Sequence, residues 1–180
     1  SELDTYRFNL TAGQRVYLDN LTGAGDTYGA YWGIDGPNNQ RLAQNYLYPN
    51  GGGDGEFVAP TTGTYYLSIA GQGGASAFSY SFKISATADS TTALTLGSPA
   101  SGTIADPGEQ DVYTFTGAIG QRLYLDGLGG AGIYAYLYSP TGAAVLTGAQ
   151  LTDDARMVLL TQSGTYRLVV DGSGSTTGAY

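Results

Sequence analysis

The chain has 180 residues, of which 7 are basic and 15 acidic, for a formal charge of −8, and it contains no Cys and no His. These counts exclude disulfides, thiolate and imidazole nucleophiles and Cys-based metal sites, and a single Lys leaves no basic cluster for nucleic acid or an anionic membrane. Charged residues make up only 12%, so Ser, Thr, Asn, Gln, Gly and Tyr must cover much of the surface, and no apolar run nears the roughly 20 residues that span a bilayer.

From the N-terminus, Tyr6, Phe8 and Leu10 alternate with polar residues, and so do Val16 and Leu18; both stretches read as half-buried strands. Thr11-Ala-Gly13 breaks them apart, and Asp35-Gly-Pro37 and Asn50-Gly-Gly-Gly53 punctuate the next stretch of chain. Thr61-Thr-Gly63 precedes a strand with Tyr65, Leu67 and Ile69, and Tyr80, Phe82 and Ile84 mark a closing strand. Residues 86–96, rich in Ser, Thr and Ala, read as a joint, and Gly97 to Ile104 reads as a leading strand. Tyr113 and Phe115, Leu123 and Leu125, and Tyr166, Leu168 and Val170 then repeat the alternation, with a turn at Ser139-Pro-Thr-Gly142. No stretch carries a useful helical period. The expected class is all-β, with many short strands arranged as a sandwich or jelly roll.

The alternation recurs because the chain repeats itself. Asp4 to Leu21 aligns without a gap on Asp111 to Leu128, with 10 of 18 positions identical. Gly63-Thr-Tyr65 likewise matches Gly164-Thr-Tyr166. Two tandem β-sandwich units are therefore expected: residues 1–86, a linker with the start of a leading strand at 87–98, and residues 99–180. The copies are cut out of phase. The first has no counterpart of the leading strand, and the second stops at Gly178-Ala-Tyr180, where the closing strand would start. Two readings stand: a boundary placed out of phase with the repeat, or strands supplied by neighbouring copies.

The order Asp-x-Tyr-x-Phe, Gly-Gln-Arg-x-Tyr-Leu, Leu-Tyr-Ser-Pro-Thr-Gly and Ser-Gly-Thr-Tyr-x-Leu-x-Val resembles the bacterial pre-peptidase C-terminal domain. The stretches here are Asp111 to Phe115, Gly120 to Leu125, Leu137 to Gly142 and Ser163 to Val170. The first copy matches at Asp4 to Phe8, Ala12 to Leu18 and Gly63 to Ile69, and departs where Ile34-Asp-Gly-Pro-Asn-Asn39 replaces the Ser-Pro turn. The resemblance implies a jelly-roll β-sandwich, outside the cell, appended to secreted proteases or repeated in surface proteins, and not catalytic. Some relatives bind polymers such as polysaccharide, and some bind calcium.

Read without the family, the residues point the same way. No His and only three Glu (Glu2, Glu56 and Glu109) leave no acid–base pair at matching positions in both copies, so no enzyme is expected. Asp54 and Glu56, in a Gly-rich loop, read as solvated. Calcium needs about 6–8 oxygens from loops. The candidate ligands are Asp19, Asp26, Asp126, Asp153 and Asp154, of which Asp19 and Asp126 end equivalent strands. For a sugar platform the aromatic candidates are Tyr28, Tyr31 and Trp32, near Tyr46 and Tyr48, and the stripe Tyr134, Tyr136 and Tyr138. If Leu137 faces the core, that stripe lies outside, as a platform, a unit contact or a cover for the sheet. Asn9 and Asn20 head Asn-x-Thr sequons. The expected role is a structural or adhesive repeat of a secreted or cell-surface bacterial protein. Its expected partners are neighbouring copies of itself or adjacent repeats, with strands shared into a fibre or sheath. The alternative is a polysaccharide-binding module stabilised by calcium.

Overall fold

Alternating apolar residues and Gly-rich turns give strands almost throughout the computed structural model, which describes residues 2–25, 29–48, 53–71, 77–87, 89–153 and 156–180. The chain divides into two units, Ser1–Thr87 and Ala88–Tyr180. The first holds β1 (Leu3–Leu10), β2 (Arg15–Gly25), β3 (Ala30–Asp35), β4 (Arg41–Tyr46), β5 (Gly55–Val58), β6 (Gly63–Gly71) and β7 (Phe78–Thr87). Its two sheets run β1-β6-β3-β4 and β5-β2-β7, with antiparallel pairing throughout. The turn between β1 and β2 places Gly13 at φ 87°, a left-handed conformation that favours Gly; Gly120 does the same at 82°.

The second unit holds β8 (Ser90–Ala93), β9 (Thr103–Ile104), β10 (Gln110–Gly117), β11 (Arg122–Leu125), β12 (Ile133–Tyr138), β13 (Ala144–Gln150), β14 (Arg156–Leu159), β15 (Gly164–Gly172) and β16 (Gly178–Ala179). One sheet runs β13-β12-β15-β10-β8, and two strand pairs, β11-β14 and β16-β9, lie outside it. Strand β8 joins β10 in parallel. Residues 90–93, expected in the joint, thus form an edge strand of the second unit.

Each core lies between sheets. In the first unit Val16 and Leu18 of β2 meet Trp32, Ile34, Tyr65, Leu67 and Ile69 in one cluster, against which Phe78, Tyr80, Phe82 and Ile84 of β7 pack. In the second unit the buried residues fall into two clusters, one around Tyr113 and Val170 and one around Phe115 and Tyr166. The partly buried Leu94, Leu125 and Leu168 touch both clusters. Phe82 and Ile84, which pack against the first core, have no counterpart among the described residues of the second unit.

Tyr65 and Tyr166 occupy equivalent core positions, each fully buried. The Tyr65 hydroxyl donates to the Thr61 carbonyl at 2.6 Å, and the Tyr166 hydroxyl to the Gln162 carbonyl at 2.9 Å. The Gly-Thr-Tyr motif thus ties each strand to the turn before it, and each ring stacks on a Phe, Phe8 or Phe115. Replacing Tyr65 with Phe keeps the ring and removes the hydroxyl's bond to the Thr61 carbonyl, a loss of about 1 kcal/mol. Urea denaturation of Tyr65→Phe should show that loss with an unchanged m-value.

Candidate functional site

The Asp-x-Tyr motif does more than place an aromatic ring. In the first unit the Tyr80 hydroxyl, from β7, donates to Asp4 and lies 2.7 Å from the Tyr6 hydroxyl. In the second, the Tyr180 hydroxyl donates to Asp111 at 2.6 Å and lies 2.8 Å from the Tyr113 hydroxyl. Ser90 of β8 donates to the other Asp111 oxygen. The same three residues therefore hold the start of the closing strand in both units. Tyr180 stands where Tyr80 stands: Tyr80 pairs with Gly23, and Tyr180 lies over Gly130, the equivalent glycine. Backbone bonds in both directions between Gly102 and Tyr180 extend the β9–β16 pairing by one residue.

Beyond that point the units differ. In the first, β7 runs along β2 to Thr87, with Phe82 opposite Asn20, Lys83 opposite Asp19, Ile84 opposite Leu18 and Ser85 opposite Tyr17. In the second, β11 pairs only with β14 among the described residues. The equivalent tyrosines record the result: Tyr17 is 5% exposed and Tyr124 61%. A groove of about 360 Å³ lies where the strand would run, between residues 94–100 and 124–129, and it is floored by Leu168 and Val170. The reverse holds at β1. Tyr113 is 9% exposed beneath the leading segment, whereas Tyr6, expected on the buried face, is 41% exposed because nothing equivalent to that segment lies over it among the described residues.

The expected sugar platform changes composition. Trp32 is a correction: it is 1% exposed, and its Nε1 donates to the Gly53 carbonyl at 2.7 Å, so its ring has no open face. The alternation of Ala30, Trp32 and Ile34 on one side of β3 is the signal that places it inside. Tyr31 points the other way, opposite Tyr46 of β4, and with Gln44 and Asn45 lines a shallow hollow of about 290 Å³. Tyr46 and Tyr48 are both exposed, with ring centroids 6.2 Å apart. Tyr28 lies outside the described residues.

Leu137 faces the core, and Tyr134, Tyr136 and Tyr138 lie half-buried on the opposite face. Tyr136 is paired with Val169, which pairs in turn with Val112; both valines are buried although they sit on that outer face. The Arg167 guanidinium lies 5.8 Å from the centre of the Tyr138 ring. Burial is the main cause that raises the Tyr136 hydroxyl above the usual phenol range, followed by the Asp171 charge. This stripe covers the sheet.

The acidic candidates do not converge. Burial raises the Asp19 carboxyl, the Asp54 charge adds to the rise, and Lys83 across the strand opposes it. Asp126 lines the groove, Asp153 sits in an exposed turn, and Asp26 and Asp154 lie outside the described residues. Among the described residues no three acidic side chains gather where they could hold a metal ion. Asp54 and Glu56, expected to be solvated, have protein partners instead. Asp54 accepts from the Tyr17 hydroxyl at 2.8 Å and the Asn20 amide at 2.9 Å, and Glu56 pairs with Arg15. This network pins the loop that also caps Trp32.

The protons of the triad make it sensitive to pH. Burial first, and then the bond to Asp4, pushes the Tyr80 hydroxyl far above the usual phenol range; burial and Asp111 do the same to Tyr180. The unfolded chain releases these protons near pH 10, and the folded protein keeps them. The triads' contribution is therefore complete below about pH 10 and declines as pH rises beyond it. Denaturation midpoints measured from pH 7 to about pH 11 should fall above pH 10. Tyr80→Phe should be less stable at neutral pH and show a shallower alkaline fall.

The family model for the bacterial pre-peptidase C-terminal domain matches residues 2–71, most of the first unit. No curated protein matches the chain. Among solved structures, the chain is similar to the CUB1-EGF-CUB2 domain of human MASP-1/3, at 11% identity over 99% of this chain and 91% of that chain. The TM-score of that superposition is 0.26, so the likeness carries no argument.

Proposed function

Taking the first unit as a bacterial pre-peptidase C-terminal domain, we propose that the chain is a non-catalytic structural repeat of a secreted or cell-surface protein, built to join copies by sharing strands. The observation that supports it most is the pair of complementary openings. Among the described residues, no strand pairs with the β1 edge that β8 takes in the second unit, and none pairs with the β11 edge that β7 takes in the first. An open strand edge presents unpaired backbone donors and acceptors and takes another strand readily. The residue types agree: a Tyr-rich surface of low charge offers contact area with little repulsion between copies. The expected result is a light-scattering mass that rises above the monomer across a concentration series. Calcium and chelator belong in the same series, because Asp19 and Asp126 hold equivalent positions in the repeat, although Asp19 lies within β2 rather than at its end and only Asp126 follows a strand. A constant monomer mass in every condition would overturn assembly.

A second reading rests on Tyr31, Tyr46 and Tyr48 beside Gln44 and Asn45, aromatic faces flanked by amides that suit a polysaccharide. Under it, Tyr46→Ala loses most retention on an insoluble polysaccharide while the denaturation midpoint stays within the small range of a surface change. Equal retention of both proteins would remove this reading.

A further inference from the structure

One outer sheet face differs between the two copies, although their strand registers correspond. Ala30 pairs with Gly71 as Ile133 pairs with Gly172, so Tyr31, Gly33 and Asp35 hold the places of Tyr134, Tyr136 and Tyr138. In the second unit the row across the middle of that face is Val112, Val169 and Tyr136. In the first it is Thr5, Ser68 and Gly33. Two hydroxyls and a glycine thus replace an apolar cover. Gly33 sits in ordinary strand pairing without a left-handed backbone, so the glycine serves space rather than conformation. The Arg41 guanidinium takes that space: a Cβ on Gly33 would fall 1.6 Å from its Nη1 and 2.4 Å from its Cζ. Asp35 holds the guanidinium there, accepting from Nε at 2.7 Å and from Nη2 at 3.1 Å. Gln44 stands opposite Gly33, and Tyr46 opposite Tyr31.

We propose that Gly33, Arg41 and Asp35 extend the hollow of Tyr31 and Tyr46 into a site for an uncharged polysaccharide, its chain lying extended along β3 and β4, with the Arg41 guanidinium as the specificity-determining donor. The inference rests on the polysaccharide reading above and supplies the class of polymer and the residues that select it. From Tyr31 to Asp35 the face runs about 13 Å along the strand, more than one sugar ring covers, so the ligand is a chain. Tyrosine rings offer their faces to the apolar side of a sugar, while the Gln44 amide, the Asp35 carboxylate and the guanidinium offer donors and acceptors to its hydroxyls. The Arg41 and Asp35 side chains both remain partly exposed, and the fork between them fixes the guanidinium before any ligand arrives. Charge selects the class. Arg41 and Asp35 cancel each other within the site, whereas the whole chain carries −8. A polyanion is repelled at long range, and a polycation is drawn to the whole surface rather than to this face. In the second unit Tyr136 closes the same place, so the first unit alone carries the site.

The probe is particulate cellulose, an uncharged polymer of extended chains, with the same material oxidised to carry carboxylates as its charged counterpart. The full chain is expected to bind cellulose equally at about 0.01 M and about 1 M salt, and to bind the oxidised material several-fold less at the lower salt. Gly33→Ala keeps Arg41, Asp35 and every tyrosine but pushes the guanidinium off its seat, at little cost because only the far end of a flexible side chain has to move. It should lower retention on cellulose at least about fivefold, with a denaturation midpoint in the range of a surface change. Arg41→Lys, which keeps the charge and loses the planar fork, should do the same. Wild-type retention by either variant, in a series where Tyr46→Ala is lost, overturns this inference and leaves the polysaccharide reading standing. Equal retention of Tyr46→Ala and the wild type removes that reading itself. Absence of wild-type binding to cellulose overturns the inference. Preference for the oxidised material, or binding that collapses as salt rises, overturns the uncharged class and gives the face to an acidic chain.

Discussion

The antiparallel pairing of β7 with β2 governs the rest of this fold. It packs the partly buried Phe78, Tyr80, Phe82 and Ile84 against the core of the first unit, and each contributes a share of the about 1.5–3 kcal/mol that full burial of such a side chain is worth. It also helps to cover Tyr17, whose hydroxyl then holds Asp54 and the loop beside Trp32. One strand thus serves the sheet, the core and a polar network. In the second unit the described residues at the corresponding place form β16, and the buried residues fall into two clusters.

The Asp-Tyr-Tyr triad decides where that strand begins. Its carboxylate comes from the Asp-x-Tyr strand, β1 or β10, and the donating hydroxyl from the closing strand or the residue just after it, so it joins parts of the unit 76 residues apart in the first copy and 69 in the second. Tyrosine suits this place because its ring packs against the core while its hydroxyl reaches a polar partner. The same property explains the tyrosines of the Gly-Thr-Tyr turns. The tyrosines of the triads and of the Gly-Thr-Tyr turns are therefore structural.

Strand positions, the internal repeat and the outward tyrosine stripe on β12 are legible in the sequence, because side-chain alternation has a period of two and needs no knowledge of distant partners. Trp32 misleads because a bulky indole among tyrosines suggests a platform; its neighbours Ala30 and Ile34 show the inward face, and the hydrogen bond to Gly53 satisfies its one polar atom. Asp54 misleads because its partners, Tyr17 and Asn20, lie more than 30 residues away. The triad lies beyond local reading for the same reason, since Asp4 and Tyr80 are 76 residues apart. A comparison of the two copies could have found it, because both keep Asp-x-Tyr and both place a Tyr at the head of the closing strand. The strand β8 is hidden by its composition: Ser-Thr-Thr-Ala carries no apolar alternation, and it pairs at an exposed edge.

The closing contact joins a carboxylate to a neutral hydroxyl rather than to a cation. Dissolved ions screen the attraction between opposite charges over about 10 Å at 0.1 M, but they have little hold on a short hydrogen bond at a partly buried site. A unit fastened in this way keeps its last strand seated in fresh water and in brine alike, without the lysines and arginines that the chain so largely lacks.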